Sequence, residues 1–168
     1  MRDETFEAVR YAALQRYPEL HEISEADLRD YAELALHSLQ ILCARLFELN
    51  TYTETVKVES GCCFLHAVPI VEIQSAVDAE GNLVEWFGVV KDLGIVEVSP
   101  VLDGKYVTFT YRGGFETLPR LVITAAADLL ALLYRDRGVT VQLPDIRVME
   151  NELPQSVQLA IKTFRLAL

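Results

Sequence analysis

The sequence predicts an α+β fold: N-terminal helices, a small antiparallel β-sheet, a long apolar central helix, and a C-terminal extended arm with a short helix. Three observations predict it. Apolar residues recur every three or four positions in the first fifty residues, the period switches to two between residues 53 and 112, and a Leu/Ala-rich run opens after Pro119.

The first helix is expected over residues 3–17, where Phe6, Val9, Ala13 and Leu14 share a face and Pro18 stops the pattern. Ser24-Glu25-Ala26-Asp27 opens the second helix as a capping box: the hydroxyl takes an orphan amide and the carboxylate faces the positive helix end. Leu28, Tyr31, Ala32, Ala35, Leu39, Leu42 and Leu46 carry its apolar stripe as far as Leu49.

After Asn50, residues 53–59 alternate with Val56 and Val58 on one side, which reads as a strand. Residues 68–77 form a second strand opened by Pro69, residues 78–82 a turn, and residues 83–87 the return strand of that hairpin. Ile95–Val98 and Tyr106–Arg112 complete the sheet, which is antiparallel because the connections are too short for crossover helices.

Gly113-Gly114 ends the sheet, and Thr117-Leu118-Pro119 opens the central helix with a Thr cap and an early proline. From Leu118 to Tyr134 its only polar residues are Arg120, Thr124 and Asp128, spaced four apart on one narrow stripe. A helix apolar nearly all round must be covered nearly all round. A sheet and one helix cover about two of its sides, so a neighbouring subunit is expected on the remainder, with Arg120, Thr124 and Asp128 as contact residues. The domain organisation expected is 1–138 for the helical/β domain and 139–168 for a docking arm. Residues 139–152 read as extended, and Val157, Ile161, Phe164 and Leu168 form a last helical stripe for contact with a partner.

Composition narrows the function. The 168 residues are 51% hydrophobic, enough for a packed core and too many for a disordered chain. No apolar run approaches the roughly 20 residues that span a bilayer, so no membrane role is expected. The acidic opening, Met-Arg-Asp-Glu-Thr-Phe-Glu, lacks the basic-then-apolar pattern of a signal peptide, and the protein is expected to stay in the cell that makes it. The net charge is −10, from 15 Lys and Arg against 25 Asp and Glu. Most of it lies in the first hundred residues, and the segment from residue 101 onward is slightly basic. Such a body repels phosphate, which argues against sequence-specific reading of duplex DNA.

Chemistry is sparse. His21, His37 and His66 lie in different elements, and no pair of His or Cys has metal-ligand spacing. Cys43, Cys62 and Cys63 are odd in number, and two are adjacent, which is no disulfide framework. A thiol enzyme using Cys62 or Cys63 with His66 is the alternative from another class, but no orienting carboxylate or oxyanion loop stands beside them in sequence. No catalytic residue, metal or cofactor is assigned, and the protein is expected not to be an enzyme.

One segment carries a resemblance. Val107-Thr108-Phe109-Thr110-Tyr111-Arg112-Gly113-Gly114-Phe115 is followed by Leu118-Pro119 and a helix closing in Leu132-Leu133-Tyr134-Arg135-Asp136-Arg137. Upstream stand Val68-Pro69-Ile70-Val71-Glu72-Ile73 and an acidic turn before Leu83. In order and spacing these phrases, over residues 24–138, resemble the tailed-bacteriophage head–tail connector (adaptor, or head-completion) family. The resemblance implies a structural virion protein, made in the host cytoplasm and placed at the head–tail junction. It also implies a homo-oligomeric, dodecameric ring that binds the portal protein, extends the channel for passage of double-stranded DNA, and meets a stopper or tail protein below. A stopper or tail terminator is the alternative within that class.

Overall fold

The computed structural model describes residues 1–135 and 153–165. The extended part of the expected arm, residues 139–152, and Leu168 therefore lie outside the described residues. The chain forms two compact units: a helical one built from Met1–Ala44 and Thr117–Leu168, and a β-rich one built from Arg45–Glu116.

The helical unit contains α1 (Asp3–Arg16), a 3₁₀ turn (Pro18–Glu22), α2 (Glu25–Cys43), α3 (Arg120–Arg135) and α4 (Gln155–Phe164). Ser24 caps α2 as its sequence requires, with Oγ accepting the Asp27 amide at 3.2 Å while donating to the Asp27 carboxylate at 2.6 Å. The helix ends at Cys43, six residues before the expected Leu49, because Ala44 turns left-handed (φ 49°) and returns its N–H to the last-turn carbonyls of Gln40 and Ile41. Phe6, Val9 and Ala13 of α1, Leu28, Ala32, Ala35, Leu36 and Leu39 of α2, and Val122, Ala126 and Leu130 of α3 are buried. Burying one such Leu or Phe fully stabilises the unit by about 1.5–3 kcal/mol. Arg29 ties α2 to α1 with its guanidinium 4.2 Å over the Phe6 ring and 3.0 Å from the Asp3 carboxylate.

The central helix differs from its expectation. It is 16 residues long and is not apolar throughout: Asp128 is buried within it, and Arg120 and Arg135 are exposed. Its cover also differs, since α1, α2 and α4 all pack on it within the helical unit. The expectation counted only a sheet and one helix as cover, and three helices of the same unit supply it instead.

The β-rich unit has two three-stranded antiparallel sheets where one was expected. The first has strand order β1–β6–β3, from β1 (Asn50–Lys57), β6 (Tyr106–Gly113) and β3 (Ile70–Asp78). The second has order β2–β5–β4, from β2 (Cys62–Phe64), β5 (Ile95–Val98) and β4 (Trp86–Val90). The expected 68–77/83–87 hairpin survives only as a turn. Leu83 makes a single bridge to Val77 and the Val84 amide bonds the Ala76 carbonyl at 2.9 Å, after which the chain leaves to pair with β5. Both sheets share one core, in which Leu65, Val68, Val96, Val107, Phe109 and Tyr111 are buried. The outer face of the first sheet carries paired hydroxyls, Thr55 with Thr108 at 2.9 Å and Thr53 with Thr110 at 3.3 Å.

Entry and exit of this unit are bonded together. The Phe115 amide donates to the Phe47 carbonyl at 2.7 Å, and the Leu49 amide to the Phe115 carbonyl at 3.0 Å. Gly113-Gly114 makes that approach possible. A Cβ on Gly113 would overlap the Ala67 carbonyl, and one on Gly114, whose φ is +98°, would overlap the Glu48 carbonyl. Gly114→Ala is expected to destabilise the protein by about 2–4 kcal/mol, read as a shift of the denaturant midpoint at unchanged slope.

Candidate functional site

Two polar constellations are built into the apolar interiors, one per unit. The first centres on Asp128, which is only 5% exposed on α3. Burying a carboxylate demands donors, and three segments supply them. Arg16, at the end of α1, places Nε 3.0 Å from Oδ1 and donates from Nη2 to Oδ2 at 3.3 Å. Tyr17 Oη donates to Oδ1 at 2.7 Å, and Ser156 Oγ, in the first turn of α4, donates to Oδ2 at 2.5 Å. Burial, the hydrogen bond to Asp128 and its charge together raise the Tyr17 pKa, so the phenol stays a donor. Beside this network an open groove of about 530 Å³ is lined by Arg16, Leu121, Thr124, Leu159 and Lys162, among others.

The stripe expected on α3 is therefore divided. Asp128 is internal, Thr124 lines the groove and Arg120 is exposed. On α4, Val157 and Ile161 are buried against the unit's own helices, while Phe164 is half-buried. The structure thus brings Thr124 and Asp128 together in one groove and leaves Arg120 outside it. Sequence reasoning missed Arg16, Tyr17 and Ser156, whose pairing with Asp128 spans 112, 111 and 28 positions along the chain.

The second constellation lies in the β-rich unit. Glu54 sits on the inward parity of β1 between Tyr52 and Val56, a carboxylate where alternation calls for an apolar residue. Its Oε1 accepts from Tyr111 Oη at 2.6 Å, and its Oε2 accepts from the His66 amide at 3.1 Å and stands 2.9 Å from His66 Nδ1. Tyr111 Oη in turn accepts the Ala67 amide at 2.8 Å. The Glu54 carboxylate thus fastens β1, β6 and the loop before β3. Burial raises the Glu54 pKa, but hydrogen bonds from His66 and Tyr111 outweigh it and leave the carboxyl below its ordinary value. The hydrogen bond to Glu54 raises the His66 pKa against the opposing effect of burial. Burial and Glu54 push Tyr111 far above an ordinary phenol.

Cys62 and Cys63 point to opposite faces of a short strand, and burial, aided by Cys62, pushes the Cys63 thiol up to about 11, so it stays protonated at neutral pH. Cys43 is buried. Among the described residues no group of three His, Cys, Asp or Glu side chains could hold a metal ion. Among them, too, no helix is long and apolar enough to cross a membrane.

What the two units define is an α+β protein with a β-rich unit inserted between α2 and α3 of a helical one. The same fold occurs in gene transfer agent (GTA) particles. A chain from the neck of the native particle, computed with C12 symmetry, superposes with a TM-score of 0.61 at 19% identity, over 90% of this chain and 88% of that one. A chain from the neck of the empty particle, computed with C6 symmetry, gives 0.61 at 18% identity, over 87% and 81%. One from the virion of the native particle gives 0.61 at 18% identity, over 87% and 80%. No family model and no curated protein sequence matches the chain. At these identities the likeness is one of fold.

Replacing Asp128 by Ala should cost about 2–4 kcal/mol in denaturant unfolding, since it strands Arg16, Tyr17 and Ser156 together, whereas Arg120→Ala should stay within about 0.5 kcal/mol. In the β-rich unit the pH dependence has a definite sign. The raised His66 pKa contributes stability that is complete below about 6.5, the unfolded value, and is lost as pH rises through the higher folded value. The lowered Glu54 pKa contributes stability present above its unfolded value and lost as pH falls through the folded one. Melting temperature against pH should therefore fall above pH 6.5 in the wild type, and His66→Gln should flatten that limb and also weaken the acid limb, because His66 supplies much of what lowers the Glu54 pKa.

Proposed function

We propose that this chain is a structural component of the neck of a phage-like particle: a subunit of a ring beneath the portal that extends the DNA channel and joins head to tail. The observation that carries this reading is the shared fold, matched over 87–90% of this chain, with chains of GTA necks that were computed with C6 and C12 symmetry. The connector-like phrases in residues 107–137 support it, because they coincide with β6, the Gly113-Gly114 approach and the start of α3 that organise the fold.

Charge supports it too. A chain of net −10 supplies few cations to phosphate, so a wall made of it would let duplex DNA slide past without retaining it. In this reading the ring is dodecameric, Arg120, Thr124 and Phe164 lie where a neighbour or the portal can meet them, and residues 139–168 contribute to the portal side. The protein acts in the virion at the head–tail junction and does no covalent chemistry.

Particles made without this chain are the test. Filled heads lacking tails, seen by electron microscopy and restored to tailed particles by adding the purified protein, are the expected result. Normal tailed and infectious particles in its absence would overturn the assignment.

A further inference from the structure

Two surface features, one on each unit, each place exposed apolar side chains beside charge, and the two charges are opposite in sign. The first follows the turn at residues 78–82. Leu83 is 84% exposed, Phe87 70% and Trp86 37%, three large apolar side chains within five residues. Scattered exposed apolar residues need no explanation, but a run of this kind on an edge strand does. The ridge is rigidly presented: Val84, between them, is buried and bonded to Ala76, and β4 is pinned to β5. The turn below it is held by Asp78, whose carboxylate accepts from the Glu80 amide at 3.0 Å, the Asn82 amide at 2.8 Å and Asn82 Nδ2 at 3.0 Å. Glu80 and Glu85, both exposed, flank Leu83 in sequence with negative charge.

The second feature is the α3–α4 groove. Its walls include Leu121 and Leu159, the latter 51% exposed, and its cations are Arg16 and Lys162. Arg16 is balanced by Asp128, and Lys162 has no carboxylate partner among the described residues. In a chain this acidic, the groove keeps an excess positive charge beside apolar surface. Its volume of about 530 Å³ accommodates an aromatic and an aliphatic side chain together.

We infer that the Leu83–Phe87 ridge of one copy seats in the α3–α4 groove of the next, with Glu85 or Glu80 meeting Lys162. The two surfaces differ, so the contact is heterologous, and repetition generates a ring or an open filament rather than a closed dimer. The contact deepens the neck reading and rests on it for closure into a ring. It also assigns the ridge its occupant, a second copy of this chain.

Full-length chains carrying Phe87→Cys and chains carrying Leu159→Cys, mixed and oxidised, should give a disulfide-linked pair, with the 87–159 link located by peptide mass. The chain carrying both substitutions should give a ladder of linked oligomers. Independently, Lys162→Glu should weaken self-association about tenfold or more by sedimentation, and Glu80→Lys with Glu85→Lys in the same chain should restore it. An intrachain 87–159 link alone, or a chain that assembles normally with Lys162→Glu, would overturn the contact. Rings that form without any 87–159 link would overturn it while leaving the neck reading standing. Linked rings from a chain that never enters a particle would overturn the neck reading alone.

Discussion

Asp128 cannot be buried without company. A carboxylate in the middle of a packed helix costs several kcal/mol unless its lone pairs are met by donors, and those donors must come from segments held in place. Arg16 and Tyr17 fix where α1 ends and the 3₁₀ turn begins, and Ser156 fixes where α4 starts. The apolar contacts of Phe6, Leu39, Val122 and Val157 are tolerant of small slips along the helices, as packing generally is. The carboxylate is not, because hydrogen bonds near 2.7 Å fail within about half an ångström. The placement of α1 and α4 on α3 follows from that difference.

The β-rich unit repeats the logic with different parts. Glu54 stands on the inner face of β1, and its three donors come from β6 and from the loop ahead of β3. Sheet pairing alone leaves register soft wherever both faces are partly polar, as on the threonine-bearing face here. One buried carboxylate with directed bonds removes that freedom. Each unit thus combines a broad apolar core with a hydrogen-bonded carboxylate, and the function proposed for the whole makes no chemical demand on either.

Local signals in the sequence were legible and distant ones were not. The Ser24 cap, the α1 boundary before Pro18, and Ile95–Val98 are written in neighbouring residues, and they stand where those residues place them. The end of α2 was not legible, because Ala44 adopts a left-handed conformation that nothing in an alanine announces. Strand β2 has three residues, too few for a period. The second sheet was hidden because alternation shows which side of a strand is inward and never which strand lies beside it. Asp128 illustrates the same limit for the site: a polar stripe on a helix reads alike whether it faces water or an arginine from elsewhere in the chain. Glu54 was the more readable of the two, since it breaks the alternation of its strand.

The bonded entry and exit of the β-rich unit set the entropic cost of bringing the two halves of the helical unit together. The helical unit is discontinuous: α1 and α2 precede the insertion, and α3 follows it. Joining α2 to α3 across an unstructured insertion means closing a loop of roughly 70 residues, an entropic cost of about 4 kcal/mol. Once the β-rich unit has folded, Phe47 and Phe115 are hydrogen-bonded neighbours, and the same joining spans only a short clip of chain. The insertion therefore acts as an intramolecular tether. Completed first, it raises the effective concentration of one half of the helical unit for the other, and the helices assemble on a closure already made.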